Sequence, residues 1–215
     1  MKSIENRLFV SATGFEVSGL IKISKKISDN HYKGGDFELF VSGIGAPVSI
    51  YNLTRFLSQN NKKYHIINIG IAGSFSEKYE IGNLVEVKSD NFADLGIDDN
   101  GNFISVFEAG LIDSNEYPFS NSELFFDTIT KLPAVKAVTS NTVTGSNSKK
   151  QMLINKYEPA IETMEGCAIA YVAKQFCLKI SQIRAISNKV EIRNKKNWDI
   201  ELAINKLNGF LLQRI

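Results

Sequence analysis

The stretch His65-Ile66-Ile67-Asn68-Ile69-Gly70 decides the fold class. It is short, apolar and rich in β-branched residues, and its apolar side chains follow one another instead of alternating. A strand reads this way when both of its faces are covered. Five further runs share the pattern, at residues 8–13, 37–42, 84–88, 135–139 and 180–187. Most of them end at Gly, Ser or Asn, which punctuate strands. Helical spacing fills the intervals. Ile50, Leu53 and Leu57 fall on one face after Pro47, a residue suited to helix starts. Ala168, Tyr171, Val172 and Phe176 do the same, and Ile200, Ala203, Ile204, Leu207 and Leu211 form the clearest stripe. Strands interleaved with helices predict an α/β domain of three layers, with helices on both sides of one sheet. The segment 92–117 is less regular. Asp99-Asn100-Gly101 within it is a turn signal of the hairpin kind, and such an excursion suits a lid or a subunit contact.

A chain of 215 residues is long enough for one domain with a substantial core and short for two. Its 43% hydrophobic and 22% charged residues are those of a globular protein. A net charge of +2 leaves no broad basic field, so neither nucleic acid nor an anionic membrane is an expected partner. Lys25-Lys26 and Lys195-Lys196 read as solvated surface. Cys167 and Cys177 fall ten positions apart in one expected helix, about 15 Å by helical rise, which is too far for a disulfide. Both are expected to be buried thiols in a reducing compartment. Residues 1–7 are polar, and no 18-residue apolar run occurs, so a cytoplasmic protein is expected.

Several chemistries are disfavoured. The two histidines, His31 in a polar loop and His65 at the start of a strand, have no nucleophile beside them in the sequence. Clustered His and Cys metal ligands are absent. Asp98-Asp99-Asn100-Gly101 fails the calcium-loop spacing, because Gly96 and Phe107 stand where ligands are required. Gly43-Ile44-Gly45 follows a strand, but Val48 replaces the third glycine of a dinucleotide fingerprint.

What remains are polar residues at strand ends, where α/β sheets place their sites. Glu16 follows the first strand across Ala12-Thr13-Gly14-Phe15. It can orient and deprotonate a water, or equally complement a helix dipole. Gly43-Ile44-Gly45 and Gly70-Ile71-Ala72-Gly73 permit close backbone approach to a ligand, or are simply tight turns. In Glu162-Thr163-Met164-Glu165-Gly166, Glu165 can accept from two neighbouring hydroxyls and Met164 can pack beneath a sugar; otherwise they are a first-turn acid and a core residue. Ser187-Asn188 presents an amide with both a donor and an acceptor, or merely ends a strand. Asn141-Thr142-Val143-Thr144-Gly145 offers backbone to a flat heterocycle, or is an ordinary loop.

Taken in order, these segments resemble the nucleoside phosphorylase and nucleosidase superfamily. The resemblance lies in Ala12-Thr13-Gly14-Phe15-Glu16-Val17, Ser42-Gly43-Ile44-Gly45, Asn68-Ile69-Gly70-Ile71-Ala72-Gly73, Met164-Glu165-Gly166-Cys167-Ala168 and Arg184-Ala185-Ile186-Ser187-Asn188. Within it, Phe92-Ala93-Asp94-Leu95-Gly96, Ser105-Val106-Phe107-Glu108 and the tail from Asn188 to Trp198, with Leu202-Ala203-Ile204, are similar to the futalosine hydrolase branch. The resemblance implies one αβα domain over residues 1–215 with a central mixed sheet. It implies that Glu16 activates a water, that Glu165 holds the ribose 2′- and 3′-hydroxyls, that Met164 packs under the sugar and that Val143 contacts the base. Ile44, Ile71, Ala72 and Gly73 would line the substrate. Asn188 stands where methylthioadenosine nucleosidases carry an aspartic acid.

That difference bears on the base. A 6-aminopurine presents a donor, whereas hypoxanthine presents a 6-oxo acceptor. An asparagine NH₂ donates to O6 and N7, so Asn188 favours a 6-oxopurine, as in futalosine. Superfamily phosphorylases clamp phosphate with an arginine and hydroxyls. No arginine lies between Leu8 and Thr54, and Ile71 is apolar, so water is the expected acceptor. No cofactor or metal is implied. Arg193 is the expected partner of the substrate's benzoate, or else makes a surface ion pair. The superfamily's habit of assembly implies a homo-oligomer, with the 92–117 segment, including Phe107, reaching a neighbour's site.

Overall fold

In the computed structural model, which describes residues 6–192 and 194–215, the run at 65–70 lies inside a longer strand at the hub of the sheet. The first half of the chain forms β1 (Arg7–Ser11), a short helix α1 (Ser18–Lys22), a hairpin of β2 (Lys25–Ser28) and β3 (His31–Lys33), β4 (Phe37–Val41), α2 (Ala46–Ser58) and the hub strand β5 (His65–Ser74). The second half forms β6 (Leu84–Phe92), a hairpin of β7 (Gly96–Asp99) and β8 (Asn102–Ser105), β9 (Leu124–Phe125), β10 (Ala134–Thr139), α3 (Asn147–Tyr157) and β11 (Ile161–Thr163). It ends with α4 (Gly166–Gln175), β12 (Lys179–Lys189), a single 3-10 turn at Lys195–Asn197 and α5 (Ile200–Leu212).

The main sheet runs β11-β10-β6-β12-β5-β1-β4-β3-β2, and β11 also pairs antiparallel with β5. That extra pairing bends β5, β12, β6, β10 and β11 into a closed ring, with β1 and β4 extending from it as a parallel flank. Parallel and antiparallel pairs mix within the ring, as expected. Along β1 the side chains alternate between two cores. Leu8 and Val10 join the core under α2 and α4, while Phe9 joins the core under α1 and α5. Burial on both faces explains why these strands read as continuous apolar runs, and it builds the three-layer helix–sheet–helix architecture.

The strands outrun their sequence limits. The expected strand 65–70 continues through Gly70, Ile71, Ala72 and Gly73 to Ser74, because β12 pairs with it from His65 to Ser74. Of the two readings of those residues, a close backbone approach or a tight turn, the turn is not what forms: the β12 ladder, joined by β11 at Gly73 and Ser74, overrides the glycines. Asn188 is likewise inside β12 and not past its end. Its register shifts between Ile186 and Asn188, and an irregularity of this kind re-aims a side chain. His31 lies in β3 and not in a loop; its Nε2 is 2.7 Å from a Glu38 carboxylate oxygen. Cys167 is buried, but α4 ends at Gln175 and Cys177 is exposed, so only one of the two thiols is interior. The Asn100-Gly101 tip does join a hairpin, both residues having positive φ as such a turn requires.

Helix α5 closes one face. Asp199 caps it by accepting the Leu202 N–H at 2.9 Å. Ala203, Ile204, Leu207 and Leu211 then bury its apolar stripe. Leu207 is fully enclosed. Leu207→Ala is therefore expected to destabilise the fold by about 3 kcal/mol through lost transfer energy and a residual cavity, measured by urea unfolding. A loss below about 1 kcal/mol would mean that the helix repacks freely. Among the described residues no helix is long and apolar enough to cross a membrane.

Candidate active site

A pocket of about 310 Å³ draws on the ends of β1, β5, β11 and β12 and on the loop after β10. Glu16, Ile44, Ile71, Ala72, Gly73, Val143, Met164, Glu165 and Asn188 all line it. The chain thus brings together residues up to 172 positions apart that were singled out separately.

Glu16 sits in the turn between β1 and α1 and is buried. One carboxylate oxygen accepts from the Ser11 hydroxyl at 3.1 Å and from both the N–H and the hydroxyl of Thr13 at 3.0 Å. The other accepts the Ile71 N–H at 3.1 Å. Four donors fix the group in place. The residue is anchored from behind as well, since the Asn208 amide of α5 donates to its carbonyl oxygen at 2.9 Å. Ile71 therefore contributes its backbone to this carboxylate and its side chain to the apolar wall.

Glu165 occupies the N-cap position of α4. Its Oε1 accepts the Gly45 N–H at 2.8 Å. Gly45 has φ +84 and Gly43 φ +92, a conformation that suits glycine and turns that N–H toward the carboxylate at the start of α2. Burial pushes the Glu165 carboxyl above the usual carboxylate range, against the pull of the nearby Arg184 charge and of the Gly45 bond.

Arg184 is the residue that sequence reasoning quoted without a role. It is fully buried in β12 and feels the charges of Glu165, Glu16 and Asp90, while burial lowers its pKa. Its partner in register is Gly70. A Cβ there would lie 2.3 Å from Arg184 Nη1 and 2.7 Å from Glu16 Oε1, so only glycine leaves room for the pair. A charged residue in the middle of a run expected to form a buried strand was the available signal. Arg184 does not line the pocket; it lies beneath it.

Asn188 lies opposite Gly73 in the ladder. Its Oδ1 accepts from the Ser187 hydroxyl at 2.8 Å and its Nδ2 donates to the Lys189 carbonyl at 2.9 Å. Among the described residues the oxygen is thereby engaged and the second N–H has no acceptor, so the amide offers a single donor where the sequence reading had two. Val143 belongs to a loop pinned from three sides. Asp94 accepts from Ser140 and Asn141, Glu162 accepts from Thr144, and Lys149 donates to the Thr142 carbonyl. Phe15 and Trp198 also line the pocket, and Trp198 and Glu162 are lining residues to which sequence reasoning had given no role in the site. Trp198, the sole tryptophan, was marked only as the end of the tail that carries part of the resemblance.

Two expected residues are not placed in the pocket. Phe107 packs edge-on against Phe119 with centroids 5.0 Å apart and does not line it. The hairpin and the following turn carry it away from its own chain's site. Arg193 lies outside the described residues.

Two glutamates flanking an apolar slot, with an amide at its end, suit a sugar joined to a flat base. The sequence pattern of the phosphorylase superfamily matches residues 22–211. The chain belongs to that superfamily. It is 27% identical over 191 residues to the futalosine hydrolase of Streptomyces coelicolor, covering 80% of this chain and 75% of that protein. It is 24% identical over 182 residues to the futalosine hydrolase of Thermus thermophilus, covering 81% and 79%. In structure it is similar to the futalosine hydrolase of Helicobacter pylori, with TM-score 0.78 at 16% identity over 99% of this chain and 97% of the other. It is equally similar to the 5′-methylthioadenosine/S-adenosylhomocysteine nucleosidase of Helicobacter pylori, with TM-score 0.79 at 15% identity over 99% and 98%. This member of the phosphorylase superfamily shares the fold of both.

Proposed function

We propose that this protein is an N-glycosyl hydrolase that cleaves futalosine, releasing hypoxanthine and dehypoxanthine futalosine in menaquinone biosynthesis. The observation that carries the reading is the charge of the pocket. Its described lining includes Glu16, Glu162 and Glu165 and no Lys, Arg or His. Such a surface repels phosphate, whereas a neutral water is unaffected. Arg184, the nearby cation, does not line the pocket, and the charges of Glu165, Glu16 and Asp90 offset its own. Water as acceptor, and so hydrolysis, follows from this electrostatic argument. The futalosine hydrolases to which the chain is similar support the choice of substrate.

The residues then divide the chemistry. The purine lies between the Val143 loop and the Ala72-Gly73 edge. The free N–H of Asn188 donates to the 6-oxopurine and draws negative charge onto the departing base. Met164 packs beneath the ribose, and Glu165 accepts from its 2′- and 3′-hydroxyls. As the C1′–N9 bond lengthens, positive charge grows on the sugar and the buried Glu165 carboxylate stabilises it. Glu16, held rigidly by its four donors, takes a proton from the water that attacks C1′. Phe15 and Trp198, which also line the pocket, offer aromatic surface to the aryl tail.

Futalosine, inosine and methylthioadenosine, each incubated with and without phosphate and followed by chromatography, test the reading. Phosphate-independent release of hypoxanthine from futalosine is expected. Adenine from methylthioadenosine in its place would move the protein to the general nucleosidases. Phosphate-dependent cleavage of inosine would make it a phosphorylase.

A further inference from the structure

Beneath the two carboxylates and the guanidinium, the inside of the ring is polar. Asp90 on β6 is fully buried there. Its Oδ2 accepts from the Thr139 hydroxyl at 3.0 Å and from the Gln182 amide at 3.4 Å. Gln182 accepts in turn from the Asn68 amide at 2.8 Å. The same Thr139 oxygen receives the Cys167 N–H of α4 at 2.8 Å. The Thr163 hydroxyl lies 3.1 Å from it and receives the Gly166 N–H at 3.3 Å. A Cβ on Gly166 would lie 2.1 Å from Asp90 Oδ2, so the carboxylate packs directly against the residue that follows Glu165.

A buried carboxylate is costly where an apolar residue would pack as well, and the mechanism above does not use this one. Its position relative to Arg184 gives it a use. Gln182 and Arg184 are two apart on β12 and share a face, so the Asp90 network lies directly along that face from the guanidinium. Asp90 Oδ1 and Arg184 Nε and Nη2 have no hydrogen-bond partner among the described residues. Nor, among the described residues, does Arg184 close an ion pair with Glu16, Glu165 or Asp90; all three act on it through charge alone. Its charge is thus shared between two carboxylates above and one below.

We propose that Asp90 is a positioning residue for the hydrolysis: it fixes Thr139 as the seat of the α4 N-terminus that carries Glu165, and it holds Arg184 from below. Without that lower charge, the guanidinium is drawn up onto Glu16 and Glu165 and occupies the oxygens that water and ribose need. The proposal rests on the hydrolytic reading of the site. Burial pushes the Asp90 carboxyl up to about 6, against the opposing pull of Cys167, Thr139, Arg184 and Gln182, the groups that face it. It is still largely ionised at neutral pH.

The test compares wild type, Asp90→Asn, Thr139→Val and Thr139→Ser at pH 7.5, on whichever nucleoside of the panel the wild type cleaves. Asp90→Asn keeps the shape and removes the charge. Its kcat is expected to fall at least about tenfold with KM within about threefold and Tm not lowered, because burial raises the Asp90 pKa to about 6, so at pH 7.5 its ionisation opposes folding and the neutral amide removes that cost. Thr139→Val is expected to lose a similar factor, and Thr139→Ser to stay within about threefold of wild type. An Asp90→Asn protein with wild-type kcat overturns the proposal, as does one whose KM and Tm both worsen while kcat holds. Should Asp90→Asn not fold, the Thr139 pair decides, and equal activities of its Val and Ser forms overturn it. A wild type that spares futalosine but cleaves another nucleoside removes only the substrate assignment, and Asp90 is judged on that nucleoside. Inactivity on the whole panel overturns both.

Discussion

Glu16→Gln is expected to lower kcat for futalosine at least about 10²-fold while leaving ligand binding within a few-fold of wild type. The amide keeps the size of the carboxylate and one of its acceptor oxygens, but it has no basicity. The three bonds from Ser11 and Thr13 converge on one oxygen and the Ile71 N–H on the other. A glutamine oxygen can serve only one of these sides. Oriented toward Ser11 and Thr13 it retains three bonds and turns its NH₂ to the Ile71 N–H, a single local conflict. Stability should therefore drop by only about 1–3 kcal/mol, and the large effect is chemical. Single-turnover kinetics beside calorimetric titration with substrate separates the two. Turnover at the wild-type rate would remove Glu16 as the base, and loss of binding together with rate would make its part a structural one.

The second large effect is expected at Asn188. Asn188→Asp should reduce kcat/KM for futalosine by about 10²-fold and raise the ratio of methylthioadenosine to futalosine cleavage by at least as much. In the wild type the Ser187 hydroxyl holds the amide oxygen, so the NH₂ is the group left to face the base. An ionised aspartate replaces that donor by an acceptor, opposite the 6-oxo group of hypoxanthine but complementary to the 6-amino group of adenine. A buried mismatch of this type costs about 1–3 kcal/mol or more where charge is involved. The two substrates assayed in competition report the ratio directly, and an unchanged ratio would show that Asn188 does not read the 6-position.

How much of this was legible beforehand depends on the kind of signal. The runs at 8–13, 37–42 and 65–70 were readable because both faces of these strands are apolar, and the α5 stripe because one face is. Glu16, Met164, Glu165 and Asn188 could be found because each stands at a strand end or helix start in a recognisable order. Strand length was not readable at Gly70 and Gly73, since local glycine preference loses to a ladder supplied by residues more than 100 positions away. β11 is three residues long and its pairing with β5 is wholly tertiary. The roles of Arg184 and Asp90 were hidden for a related reason. A lone charge within a strand carries no label until the strand that bears its counter-charge is known. Cys177 was misjudged because helical spacing was extended past Gln175, where the chain turns at a positive φ.

The pairing of β11 back onto β5 has a consequence for the way the protein is made. The central neighbour of β5 is β12, which begins at Lys179. While the chain emerges from the ribosome, β5 and β6 have no shared neighbour until most of the protein has been synthesised. Long-range closure of this sort is slow, and open apolar strand edges invite association with other chains. A chain stopped before β12 carries Glu16 and even Glu165, but it has neither Arg184 nor Asn188 and no ring to hold the acids apart. Activity should therefore appear in a single step late in synthesis, and incomplete chains should depend on chaperones and contribute no slow, unselective nucleoside cleavage of their own.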